Sequence, residues 1–105
     1  IEKHKEGVIS LEKIVEKMRH NPAKLFQVKN RGFIKEGFFA DLVLVNPNSS
    51  WTVKKDNILY KCGWSPFEGV QFNSKITHTF VNGTLMFDQG AFNETAKGER
   101  LLFNR

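Results

Sequence analysis

The sequence has 105 residues, 40% hydrophobic and 26% charged with ten Phe, an ordinary globular composition that excludes a disordered or low-complexity chain. At this length one domain can remove roughly two-thirds of the unfolded chain's surface from water, and no apolar run approaches the roughly 20 residues a membrane span needs. The formal charge of +5 sits mainly at the front, where residues 1–31 hold eight Lys or Arg against four Glu; the interleaved Glu2, Glu6, Glu12 and Glu16 mark a solvated helical face rather than a nucleic-acid surface.

Ile1 opens directly on a charged, helix-like stretch and reads as the interior of a longer sequence, with residues 1–6 the end of a helix stopped at Gly7. Ser10 is placed to cap a second helix, with Ile9 stapling onto Ile14. Leu11, Ile14, Val15 and Met18 recur at i, i+3, i+4 and i+7 and form one apolar stripe. Arg19 and His20 stand in its last turn, where cations meet the negative end of the helix dipole. Asn21-Pro22 predicts a boundary, a cap followed by a first-turn proline, and the short helix after it, residues 23–28, is expected to bury Leu25 and Phe26.

Gly32, Phe33 and Ile34 form a short apolar run, followed by a turn at Lys35, Glu36 and Gly37 in which Gly37 takes positive φ. Residues 38–45 are then almost wholly apolar. Leu42, Val43, Leu44 and Val45 lack the alternation of a half-exposed strand, which predicts a strand covered on both faces. Asp41 at its start is expected to hydrogen-bond backbone N–H groups of the preceding turn rather than to perform chemistry. Residues 46–50 are a loop by composition, Trp51, Thr52 and Val53 a short strand with Trp51 and Val53 on one side, and residues 54–64 have no clear period. Ser65-Pro66 opens a bend that Gly69 closes, with Phe67 anchored in the core. The sharpest local signal is Asn82-Gly83 between residues 76–81 and 84–87, a type I′ hairpin that pairs Val81 with Thr84 and Thr79 with Met86 and puts Phe80 and Leu85 on the second face. Asp88, Gln89 and Gly90 end it, leaving residues 91–105 as a polar tail in which Leu101, Leu102 and Phe103 add a last strand.

Residues that carry chemistry are few. The single Cys62 excludes an internal disulfide and a cysteine metal cage and fits a reducing, cytoplasmic setting; between Lys61 and Gly63, with no His near it, it has no activating partner. His4, His20 and His78 show neither His-x-His nor His-Glu-x-x-His spacing and read as surface or capping residues. No catalytic, cofactor-binding or metal-ligating residue is assigned within the chain.

The ordered set Asn21-Pro22-Ala23-Lys24-Leu25-Phe26, Gly32-Phe33-Ile34-Lys35-Glu36-Gly37 and Ala40-Asp41-Leu42-Val43-Leu44-Val45, followed by Pro66-Phe67-Glu68-Gly69 and Asn82-Gly83, resembles the C-terminal end of amidohydrolase-superfamily enzymes, most closely the dihydroorotases. The resemblance covers essentially the whole chain. It implies an α+β fragment, with residues 1–31 the last helices of a parent's (β/α)8 barrel and residues 32–105 a mainly antiparallel β region forming part of a β-sandwich. It implies a parent that interconverts carbamoyl aspartate and dihydroorotate in pyrimidine biosynthesis on zinc held by residues outside this chain. The fragment alone is then expected to be inert, partnered by the missing N-terminal part of the parent and able to form a homodimer through unpaired sheet edges. Residues 66–69 read as a buried turn joining two strands, the alternative being a loop that shapes the barrel mouth or a subunit contact, with Glu68 the residue to test. Two other classes stay open. One is a small basic nucleic-acid-binding module using Lys3, Lys5, Lys13, Lys17 and Arg19 with Trp51 or Trp64 as stacking platforms, against which the interleaved glutamates count; the other is a non-catalytic assembly subunit.

Overall fold

Ser10 Oγ accepts the backbone N–H of Lys13 at 3.2 Å, so the cap expected from the sequence starts the main helix. The computed structural model describes residues 1–105. Ahead of Ser10, helix α1 (Glu2–Lys5) closes with Gly7 N–H on the His4 carbonyl and Val8 N–H on the Lys3 carbonyl, the paired bonds that end a helix at a residue of positive φ. Helix α2 (Leu11–Val15) leads through a wide π turn (Glu16–His20) into α3 (Asn21–Leu25). The expected break at Asn21-Pro22 is absent: His20 and Asn21 keep helical dihedrals, and Asn21 donates its N–H to the Glu16 carbonyl instead of capping. Proline normally clashes with the carbonyl four residues back, and a π turn directly ahead of it relieves that contact. The rod ends at Gln27, whose φ of +55° lets Val28 N–H reach the Ala23 carbonyl, so the helix is shorter than residues 23–28.

The β region forms two antiparallel sheets. Four strands run in the order β1 (Leu42–Asn46), β4 (Lys75–Val81), β5 (Thr84–Asp88), β6 (Ala91–Phe92), and a separate ribbon pairs β2 (Trp51–Thr52) with β3 (Gln71–Phe72). Asn82 and Gly83 both have positive φ, as a type I′ turn requires, and Val81 faces Thr84. A bulge between Thr79 and Phe80 then shifts the register, so Thr79 faces Phe87 and not Met86. The expected polar tail is also corrected: Gln89 and Gly90, again at positive φ, make a second turn, and β6 sets Phe92 tilted against Phe87 with ring centroids 5.0 Å apart. Of the expected last strand, Phe103 alone forms a bridge, to Val28, flanked by Lys29 N–H on the Leu102 carbonyl and Asn104 N–H on the Gln27 carbonyl.

Polar ties join the helical front to the β region. Glu2 accepts the backbone and side-chain N–H groups of Asn73 and the hydroxyl of Ser74, and Lys5 donates to the carbonyls of Pro47 and Asn73. The Asn73 N–H is the main cause that holds the Glu2 carboxyl below the usual glutamate range.

Apolar burial is largely missing. Only Val53 and Arg31 are buried, and the chain exposes 8327 Å² where a monomer of this size exposes roughly 6,000 Å². The radius of gyration is 15.7 Å against about 13 Å for a compact domain of this length. Three expectations fall together for this reason. Leu25 is 74% exposed with Phe26 beside it, Leu44 and Val45 of β1 are exposed, and Phe67 is 55% exposed, its ring edge-on to Phe72 at 6.0 Å. No second layer within the chain lies over these faces, and no helix is long and apolar enough to cross a membrane.

Candidate functional site

A polar cluster lies where the helical front meets the sheet. Arg31, 8% exposed, pairs through Nη1 with Asp41 Oδ2, and the Phe39 ring covers the guanidinium at 4.0 Å. Asp41 Oδ1 accepts the backbone N–H of Asn82 at 2.9 Å, and Arg19 donates to the Asp41 carbonyl at 3.2 Å. Next to it, Gly83 N–H bonds the Ala40 carbonyl at 3.0 Å and Phe39 N–H the Asn30 carbonyl at 2.9 Å. Asp41 thus ties the helix, the segment before β1 and the hairpin tip. Desolvation pushes its carboxyl up, but the Asn82 N–H and then the Arg31 guanidinium outweigh that and hold it below the usual aspartate value. The expectation that Asp41 binds backbone rather than reactants is right in kind, but the N–H belongs to the distant hairpin and not to the preceding turn.

Arg31 itself escaped the sequence reading. Its charge counted towards a solvated helical face, whereas the fold buries it, and no local pattern links it to Asp41.

The other candidate groups are dispersed. His4 Nδ1 donates to the Ile9 carbonyl at 3.0 Å, His20 stacks flat on Phe33 at 4.3 Å, and His78 Nε2 lies 3.1 Å from Asp88 Oδ1 across the β4–β5 pair. No three His, Cys, Asp or Glu side chains gather at metal-binding distance. The residues present therefore do not fit a zinc site. Cys62 is exposed, its Sγ near only the Trp64 carbonyl at 3.8 Å.

Residues 66–69 form a turn, but an exposed one. Ser65 Oγ accepts the Phe67 N–H at 3.1 Å, the Ser65 carbonyl accepts the Glu68 N–H, and Gly69 N–H closes onto Val53. Its backbone is tied to the β2–β3 ribbon, Phe67 sets its ring edge against Phe72, and Glu68 is exposed. The cations expected of a nucleic-acid module are largely engaged: Lys3 pairs with Glu6 and Lys13 with Glu16, both at 2.6 Å, Lys5 binds two carbonyls and Arg19 one. Trp51 packs tilted on Phe72 and donates Nε1–H to the Ser74 carbonyl, which removes it as a stacking platform.

Comparison with known proteins gives this frame a lineage. The amidohydrolase family model matches residues 1–86. A dihydroorotase of Pyrococcus furiosus is 38% identical over 96 residues, covering 91% of this chain and 23% of the relative, and a dihydroorotase of Endomicrobium trichonymphae is 41% identical over 81 residues, covering 77% and 19%. Among solved structures, the L-hydantoinase (dihydropyrimidinase) from Arthrobacter aurescens superposes with a TM-score of 0.76 at 30% identity, over 85% of this chain and 20% of that one. The chain spans less than a quarter of the length of these relatives. With the family model matching most of its residues, the chain belongs to the amidohydrolase family.

Proposed function

We propose that the chain is the C-terminal structural portion of a dihydroorotase-like cyclic amidohydrolase, acting in the cytoplasm on dihydroorotate and carbamoyl aspartate and inactive by itself. In this reading residues 1–31 are the last helices of the barrel and residues 32–105 the C-terminal strands of a β-sandwich. The parent's N-terminal part covers the exposed faces of Leu25, Phe26, Leu44 and Val45. Zinc is then held by residues outside the chain, since His4, His20 and His78 stand apart. The similarity to dihydroorotases across 91% of the chain carries the reading. The excess of roughly 2,300 Å² over the surface of a self-contained monomer supports the structural role.

The test compares the 105-residue chain with the same sequence at its natural length, each loaded with zinc and offered dihydroorotate. The longer polypeptide opens the ring and the chain alone does not. Turnover of hydantoin with none of dihydroorotate moves the substrate to the hydantoinases, and turnover by the chain alone refutes its inertness.

A further inference from the structure

Arg31 is more than nine-tenths buried yet uses only one of the five N–H donors of a guanidinium on a protein acceptor, the bond to Asp41. The sole buried side-chain polar atom without a partner is Asn82 Oδ1, so the other Arg31 nitrogens reach solvent-accessible space. Arg31 lines a cavity of about 220 Å³ between residues 29–31 and the returning segment 99–102, walled by Phe39 and Leu102. Lys29 and Arg100 stand at the same cavity, each exposed and without a salt-bridge partner, opposite the single carboxylate of Glu99. Backbone fixes both walls: Lys29 N–H binds the Leu102 carbonyl at 2.8 Å, and Phe39 N–H binds the Asn30 carbonyl at 2.9 Å. These bonds set the backbone frame of the cavity, with the exposed Lys29 and Arg100 side chains at its edge.

We propose that this cavity binds a small oxyanion of phosphate or carboxylate type, held by the free Arg31 donors at its floor and by Lys29 and Arg100 at its rim. Guanidinium groups suit such ligands because their planar fork matches two oxygens at once. The volume admits phosphate, pyrophosphate or a small dicarboxylate and is too small for a nucleotide. Glu99 sets the competition: its carboxylate is the one anion of the chain at the cavity and opposes the ligand. The site is tested by binding and not by turnover.

The experiment is titration calorimetry of the chain at its natural length with inorganic phosphate and, separately, malonate, with chloride at matched ionic strength as control. Whichever of the two binds identifies the source of the oxyanion. Arg100→Gln and Lys29→Gln, both exposed and remote from the Asp41 bond, each weaken binding by about tenfold, the loss of one charge-assisted contact. Glu99→Gln strengthens it. Three results overturn the proposal: saturable heat equal in wild type and both variants, heat reproduced by chloride, or no binding of either anion at millimolar concentration.

Discussion

Gly32→Ala tests the one glycine of the chain at which an added Cβ would meet other atoms within 4 Å. Gly32 has φ +85°, and a Cβ added there falls inside the van der Waals radius of Ala23 Cβ and 3.2 Å from the Arg19 carbonyl oxygen. Both neighbours belong to the helical rod and cannot swing aside. Left-handed backbone costs a non-glycine residue about 1–2 kcal/mol, and an extra methyl forced into a filled space costs about 1–3 kcal/mol. The substitution is therefore expected to destabilise by about 2–5 kcal/mol. Gly37→Ala is the internal control: φ is +79°, but nothing lies within 4 Å of the added Cβ, so only the backbone part, about 1–2 kcal/mol, remains. Urea unfolding of the chain at its natural length measures both. Adding Ala23→Gly to Gly32→Ala removes the clash, so the double variant recovers about 1–3 kcal/mol relative to the sum of the singles. Equal losses at Gly32 and Gly37, or additivity in that cycle, refute the close-approach argument.

Asp41→Asn leaves the buried Arg31 without its counter-charge and should cost about 3 kcal/mol in the same unfolding assay. Because the folded pKa of Asp41 lies below its unfolded value, its stabilisation is complete above about pH 4 and is lost as pH falls through the folded pKa; the variant should flatten that part of the acid-unfolding curve, and an unchanged curve counts against the pair. Glu2→Gln should speed hydrogen exchange at the Asn73 amide, which donates to Glu2, and leave the Asn82 amide, held by Asp41, unchanged. The 105-residue chain alone should self-associate in light scattering through its exposed apolar faces, and Leu25→Lys with Phe26→Lys should reduce this; a clean monomer at high concentration sinks the expectation.

What the sequence made legible is what short-range chemistry decides. Ser10 caps and Asn82-Gly83 turns because each needs only its immediate neighbours. The bulge after Thr79 was hidden, since an unbroken register is the default when counting outward from a hairpin. Gln89 carries no turn signal because Gln seldom takes positive φ, and Asn21-Pro22 predicts a break because nothing in one sequence announces a π turn. The expected cover over Leu25, Phe26, Leu44 and Val45 is missing within this chain, because an apolar run states which side wants cover and not which polypeptide supplies it. The Arg31–Asp41–Asn82 cluster spans the helical front and the hairpin, so its assembly is purely tertiary and left no local trace. The family resemblance was visible because it rests on the order of short motifs, which survives where side-chain contacts cannot be inferred.

The pairing of β1 with β4 sets a timetable for synthesis. Asn46 ends one strand and Lys75 begins its neighbour, a gap of roughly thirty residues, which a ribosome adding about 5–20 residues per second crosses in about 1.5–6 s. For that interval the hydrogen bonds of Leu42–Asn46 to β4 stay unmade, and Asp41 waits still longer for the Asn82 amide. Nascent β1 is thus an apolar stretch that a chaperone can shield until β4 is made.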